Sequence, residues 1–95
     1  MLRIFRIRGS SMLPKYRDGD LVAAIKPWRF NQPRVGDVAV VDHPTLGKII
    51  KEIHSIHADR SFGLRGLNRL SMEAQEIGRV SNDQIIGKVL FHVAL

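Results

Sequence analysis

Two residues of this chain, Ser11 and Lys51, could together carry out acyl transfer. Serine is a weak nucleophile by itself and needs a base within hydrogen-bonding distance. Lys51 lies in the apolar run 47–53, and strand alternation places it on one face with Ile49 and Ile53. Burial disfavours the charged form of a lysine, and a neutral lysine can accept the proton of a serine hydroxyl. The two residue types therefore predict a Ser/Lys dyad.

Four histidines compete with Lys51 for the role of base, and we interpret each as a surface or turn residue: His43, His54, His57 and His92. A histidine triad would also need a carboxylate that orients the imidazole, and the sequence singles none out. His54 and His57 fall on opposite faces of a strand, which disfavours a metal site, and we expect no cofactor. For Lys51, a surface lysine that extends to water from an edge strand stays open as an alternative.

Composition predicts a single domain spanning residues 1–95, which would bury roughly 60–65% of the surface of the unfolded chain. The net charge of +6 is dispersed, which favours a solvated basic surface and makes a nucleic-acid partner the less favoured interpretation. Cysteine is absent, in agreement with a reducing, cytoplasmic location. The longest apolar run, Leu21–Ile25, is far shorter than the roughly 20 residues of a membrane-spanning helix, so we expect no transmembrane anchor.

Frequent turn signals predict a mostly β fold, a small coiled antiparallel sheet or partly open barrel with at most short helical turns. The strand candidates are rich in Val, Ile and Phe: 3–8, 20–26, 36–42, 47–57, 61–65 and 84–93. Residues 38–41 are apolar at every position, which predicts a strand covered on both faces. Ser71 and Ser81 are good N-caps for helical turns at 71–77 and 81–85.

The last strand candidate also shows alternation. Lys88 and His92 fall on one face, and the other face is apolar, with Ile85, Val89, Phe91 and Val93. This pattern predicts a strand with a single face on the core.

Four segments resemble the type I signal peptidase family in the right order and cover about residues 9–90. Segment 9–20, Gly-Ser-Ser-Met-Leu-Pro-Lys-Tyr-Arg-Asp-Gly-Asp, resembles the Ser-Met-x-Pro box that opens the catalytic domain of that family. Segment 36–41 resembles its second Gly-Asp strand, 49–53 its general-base strand, and 66–78 its last box. The self-cleaving SOS repressors share the same Ser/Lys arrangement.

The resemblance implies that Ser11 is the acylated nucleophile, Lys51 the neutral general base, and Ser71 a hydroxyl that orients the lysine. In the family, a serine two residues before the nucleophile often assists the oxyanion. That position is Gly9 here, so a backbone N–H or Ser10 would take its place. The resemblance also implies that Met12 is structural. Four positions of the network that supports the catalytic residues depart from the family pattern: Glu52, Leu67, Glu73 and Gln75.

We predict an endopeptidase that removes a leader or N-terminal propeptide from a protein precursor bound as an extended peptide. Length and the pair His43-Pro44 most resemble the small peptidases that mature nickel-type superoxide dismutase. Trp28 and Phe30 are candidates for contact with the substrate or a membrane surface, although such aromatics more often cover one end of a small barrel. Two other functions stay open: a basic β module that binds nucleic acid, and an inactive relative that binds an extended peptide. The sequence sets no oligomeric state.

Overall fold

A computed structural model describes residues 2–27, 32–68 and 77–95. Within those ranges seven strands are formed: β1 (Leu2–Arg6), β2 (Leu21–Ile25), β3 (Val38–His43), β4 (Gly47–Ile56), β5 (Phe62–Arg65), β6 (Arg79–Val80) and β7 (Ile85–Val93). All pairings are antiparallel, and the strands form one sheet in the order β1-β2-β7-β3-β4-β5-β6. The first and last strands of this order do not pair with each other, so the sheet is open. The predicted fold class is confirmed.

Each strand candidate of the sequence corresponds to a strand of the structure, with ends that differ by a few residues. The two-residue β6 was not predicted, because two residues show no alternation. A 3-10 helix, Asn82–Gln84, follows Ser81 as predicted, and the N–H of Ser81 donates to Oε1 of Gln84 at 2.8 Å. The predicted turn at 71–77 lies outside the described residues except for Ile77.

Strand β3 lies near the centre of the sheet, and both of its faces are covered. Its side chains alternate between two hydrophobic clusters. The first cluster contains Ala39, Val41, Ile53, Phe62, Leu64, Ile77, Val80 and Ile85. The second cluster contains Ile7, Met12, Tyr16, Val22 and Val38. The prediction that residues 38–41 are covered on both sides is confirmed, because all four are at most 5% exposed.

The predicted alternation of β7 is wrong in its second half. Ile85 packs in the first cluster and Val89 packs against the second, whereas Phe91 and Val93 are 62% and 52% exposed. The pairing of β7 shifts register against both neighbouring strands, β2 and β3. A bulge adds one residue to a strand and moves the following side chains to the opposite face. The apolar residues of β7 that are an even number of positions apart therefore do not all lie on one face of the sheet.

No helix in the part of the chain that the structure describes is long and apolar enough to cross a membrane.

Candidate active site

Ser11 lies in a loop, residues 7–20, that leaves β1 and returns to β2. Backbone hydrogen bonds close this loop at its base, where the N–H of Ile7 donates to the carbonyl of Asp20 at 2.7 Å. The N–H of Gly19 donates in turn to the carbonyl of Ile7 at 2.8 Å. The sheet therefore holds both ends of the loop that carries the serine.

The part of the loop around Ser11 is fixed by Gly9 and Met12. Gly9 has φ of 81°, a conformation that favours glycine, and its N–H donates to Oδ1 of Asp18 at 2.7 Å. Met12 is 2% exposed and packs in the second cluster, as expected of a structural residue. The side chain that follows Ser11 is thus buried, while Ser11 itself is half-buried and Ser10 is exposed.

Asn68 fixes the backbone of both serines from another part of the chain. Its N–H donates to the carbonyl of Ser11 at 2.9 Å, and its Nδ2 donates to the carbonyl of Ser10 at 2.8 Å. Asn68 follows β5 and belongs to the last box of the sequence comparison, 66–78. Sequence reasoning identified that box through Ser71 and missed Asn68, although a side-chain amide beside a glycine turn is a frequent backbone anchor.

Lys51 lies in β4 and is buried, with 7% of its surface exposed. Ala39 of β3 lies opposite it, and Ile53, on the same face of β4, is fully buried. Burial lowers the pKa of the Lys51 ammonium below its ordinary value of 10.5. The prediction that Lys51, and not Lys48, is the buried lysine of this strand is confirmed, because Lys48 is exposed.

Ser11 and Lys51 line the same cavity, which has a volume of about 110 Å³. The remaining lining residues are Ile7, Arg8, Met12, Lys48, Ile49 and Ile50. These include the consecutive residues 48–50 of β4 beside Lys51, which alternate between both faces of the strand, so the cavity lies at the edge of that strand. A water molecule occupies about 30 Å³ of liquid, so the space accommodates several waters or a small substrate side chain. No histidine of the described ranges lines this cavity.

The edge of β4 beside the cavity is open. Strand β5 pairs with β4 only from Glu52 to Ile56, and β3 covers the other edge from Gly47 to Glu52. Among the residues that the structure describes, none pairs with segment 47–51 on the β5 side. An extended peptide could add there as a further strand, directly beside Lys51.

Five of the predicted positions lie outside the described residues: Ser71, Trp28, Phe30, and the two departures from the family pattern Glu73 and Gln75. Of the other two departures, Leu67 packs against the second cluster. Glu52 forms an ion pair with Arg65, its cross-strand neighbour, and Nη2 of Arg65 lies 2.7 Å from Oε1 of Glu52. The same oxygen accepts a hydrogen bond from Nε of Arg65.

Among the described residues, three of the four histidines have side-chain hydrogen-bond partners: His43, His92 and His57, whose Nε2 lies 3.0 Å from Oγ of Ser55. His43, predicted in a turn, is instead the last residue of β3 and is buried. Its Nδ1 accepts hydrogen bonds from the N–H groups of Thr45 at 3.2 Å and Leu46 at 3.1 Å, in the turn that follows. The proton of that ring therefore lies on Nε2, which donates to the carbonyl of Ile77 at 2.7 Å. His92, predicted at the surface, instead places Nε2 at 2.7 Å from Oδ2 of the buried Asp20.

The sequence model of a family described as Peptidase S24-like matches residues 1–90, a range that includes both Ser11 and Lys51. The chain belongs to the Peptidase S24-like family. Membership confirms the predicted S24/S26-like peptidase superfamily and supports a serine peptidase of the Ser/Lys type at the level of the family. Among curated proteins, none matches this chain.

Proposed function

We propose that the chain is a serine endopeptidase in which Ser11 is the nucleophile and Lys51 the general base. The observation that carries this proposal is the shared cavity, since the half-buried Ser11 and the buried Lys51, forty residues apart in sequence, both line it. Burial already lowers the pKa of Lys51, so a larger fraction of the amine is neutral at working pH. Family membership supports the same chemistry.

In the proposed reaction, the Lys51 amine takes the proton of the Ser11 hydroxyl as Oγ attacks the scissile carbonyl. The new C–O bond forms a tetrahedral intermediate, and the C–N bond then breaks as the Lys51 ammonium returns the proton to the leaving amine. Lys51 next takes a proton from water, whose oxygen attacks the acyl carbon. The Ser11 ester bond breaks, the proton returns to Oγ, and a carboxylic acid product leaves.

The supporting roles follow the positions around the two residues. The backbone N–H of Ser11 and the Ser10 hydroxyl are the proposed donors to the oxyanion, on a loop that Gly9 and Asn68 hold in place. Ser71 is proposed to orient the Lys51 amine, as the resemblance implies.

The proposed substrate is a protein precursor that lies extended along the open edge 47–51 of β4. Cleavage would release a leader or N-terminal propeptide. The precursor of nickel-type superoxide dismutase is the specific candidate, on the strength of the family resemblance. Trp28 and Phe30 remain proposed contacts for the substrate, and residues 1–95 remain a proposed single domain.

A mixed synthetic peptide library and the candidate precursor, each analysed by mass spectrometry, test this proposal. Ser11→Ala and Lys51→Met should each lower kcat/KM by about 10³-fold or more, because neither half of such a dyad works alone. Wild-type cleavage should also rise with pH through the lowered pKa of Lys51.

Ser81→Ala and Lys26→Met are the matched controls, because both residues are exposed and lie outside the cavity. They should cleave like the wild type. Cleavage that survives in both Ser11→Ala and Lys51→Met would assign the activity to another site and refute the dyad.

A further inference from the structure

We propose that the candidate active site continues into a basic groove that selects peptides with an acidic side chain close to the scissile bond. This inference rests on the proposed peptidase function and adds a substrate class to it. The groove is a second cavity of about 380 Å³. Its lining residues are Ile4, Phe5, Arg6, Arg8, Val40, Lys48 and Ile50.

The groove is continuous with the catalytic cavity. Arg8, Lys48 and Ile50 line both spaces, and Lys48 lies three residues before Lys51 on β4. An extended strand advances about 3.3 Å per residue, so Lys48 and Lys51 lie about 10 Å apart along the strand. A peptide in the cavity would therefore reach the groove within about three residues of the bond that is cleaved.

Among the described residues, the charge of the groove has a single sign. Arg6, Arg8 and Lys48 line it, and no Asp or Glu of residues 2–27, 32–68 and 77–95 lines it or the catalytic cavity. Asp42, which faces Lys48 across the β3–β4 register, is exposed and lines neither space. Within the described ranges, none of the three cations forms an ion pair with a carboxylate. They repel one another in the free protein, and a ligand carboxylate would relieve that repulsion.

The apolar walls favour a peptide as the source of the carboxylate. Ile4 and Ile50 provide apolar contacts for an extended chain and lower the local dielectric, which strengthens an ion pair. Nucleic acid would need an aromatic face on which a base can stack. Phe5, the one aromatic residue among the described residues that line the groove, has Arg3 at 5.0 Å and Lys48 at 5.4 Å from its ring centroid.

The test begins with a peptide that the wild type cleaves in the library assay. Glu, Gln and Lys are placed in turn at each of about three positions on either side of the scissile bond. At one position or more, Glu should raise kcat/KM about fivefold over Gln, the size of one partly exposed ion pair, and Lys should lower it. The advantage of Glu should decline as salt is added.

Charge-reversed variants identify the residues responsible. Lys48→Glu and Arg6→Glu should abolish or invert the preference for Glu over Gln. Lys26→Glu makes the same change of charge outside both cavities and should keep the preference. Equal kcat/KM for the Glu and Gln peptides at all positions would overturn the inference while leaving the peptidase proposal intact.

A binding assay keeps the two proposals distinguishable. If no peptide shows Ser11-dependent cleavage, the peptidase function fails, and the groove is then tested with labelled Glu and Gln peptides bound to Ser11→Ala. Tighter binding of the Glu peptide, lost in Lys48→Glu, supports the groove, and equal binding overturns it. Tighter binding of labelled oligothymidine than of the Glu peptide, with the same loss in Lys48→Glu, would assign the groove to nucleic acid and also overturn it.

Discussion

At the scale of single residues, Lys51 carries an amine into a part of β4 where the side chains on the same face are apolar. Ile49 packs against the first cluster, and Ile53 belongs to it. An apolar side chain at position 51 would suit this environment better than an ammonium does. We therefore expect the lysine to lower stability, which would agree with a residue retained for chemistry.

Lys51→Met should therefore stabilise the fold at pH 7, by on the order of 1 kcal/mol, because methionine has a similar length and no charge to desolvate. The folded-state pKa of Lys51 lies below the ordinary 10.5, so between these two values the unfolded chain binds more protons. The wild type therefore becomes more stable as the pH rises through this window. The advantage of the methionine variant should thus shrink towards pH 10.5, as urea unfolding at a series of pH values would measure.

Lys26→Met is the control for that series, because Lys26 is exposed. Its unfolding free energy should stay within about 0.5 kcal/mol of the wild type at each pH. A Lys51→Met variant that is less stable than the wild type at pH 7 would show that the amine is well satisfied, contrary to this prediction.

His43 offers a second prediction at this scale, since its ring serves three backbone groups. His43→Ala leaves the N–H groups of Thr45 and Leu46 and the carbonyl of Ile77 without their partner. We expect a loss of about 2–3 kcal/mol in the free energy of unfolding. His54→Ala is the matched control, because His54 is exposed in β4, and it should cost less than about 0.5 kcal/mol. Equal stability of the two variants would contradict the structural role of His43.

At the scale of elements, period-2 alternation and turn residues were sufficient to locate nearly every strand. They also placed Lys51 on the buried face of β4, because β4 keeps its period through that position. The alternation could not place Phe91, since the bulges of β7 depend on how its neighbours pair with it. Ala23 lies opposite Phe91 while the next residue, Ala24, lies opposite Val89. Such a shift has no signature in the sequence of β7 itself.

The candidate site was predictable to a similar extent. Ser11 and Lys51 could be selected by residue type, spacing and resemblance, because each has a chemical role that few other residues of the chain could fill. Asn68 and Asp18 were not selected, because their roles depend on which loops meet in the folded chain. The same holds for Arg8, which enters the site through the path of the chain after β1.

The close approach of β2 and β7 gives a prediction for Gly87. A Cβ at this position would lie 2.8 Å from the Cβ of Ala24, with the backbone of Ala24 at 3.5 Å. Gly87→Ala should therefore lower the free energy of unfolding by about 1–3 kcal/mol, because a paired strand has to move to relieve the contact. Urea unfolding measures the change.

Ala24→Gly provides the corresponding control for Gly87→Ala. It removes the contacting methyl group, so the double variant should be more stable than the sum of the two single effects predicts. Strict additivity of the two substitutions would mean that the two positions do not touch.

At the scale of the whole molecule, the end of β7 and the loop that carries Ser11 are joined through Asp20. This carboxylate is 3% exposed and accepts hydrogen bonds from the N–H of Arg17 at 3.0 Å and of Leu95 at 3.2 Å. Nε2 of His92 lies 2.7 Å from it, and the His92 ring lies against Tyr16 with centroids 4.5 Å apart. One buried charge therefore connects the end of β7 and Leu95 with the base of the candidate catalytic loop.

These hydrogen bonds, from the N–H of Arg17 first and His92 second, hold the pKa of Asp20 below its ordinary value of 3.8. A lowered folded-state pKa contributes stability that is present above the unfolded value and is lost as the pH falls through the folded one. Asp20→Asn, which keeps the shape without the charge, should therefore melt at a lower temperature than the wild type at pH 7. The difference should narrow once the pH falls below 3.8.

Asp42→Asn makes the same substitution at an exposed position of β3 and should melt close to the wild type at pH 7. If Asp20→Asn and Asp42→Asn gave the same melting temperature throughout the series, Asp20 would not join the end of β7 to the Ser11 loop. If instead Asp20→Asn alone is weakened, and the Ser11 loop loses amide-exchange protection with it, the closing strand and the candidate catalytic loop unfold as one unit. That outcome would explain how a small open sheet fixes the position of Ser11, because β7, the last strand in the sequence, would also anchor the base of the loop that carries Ser11.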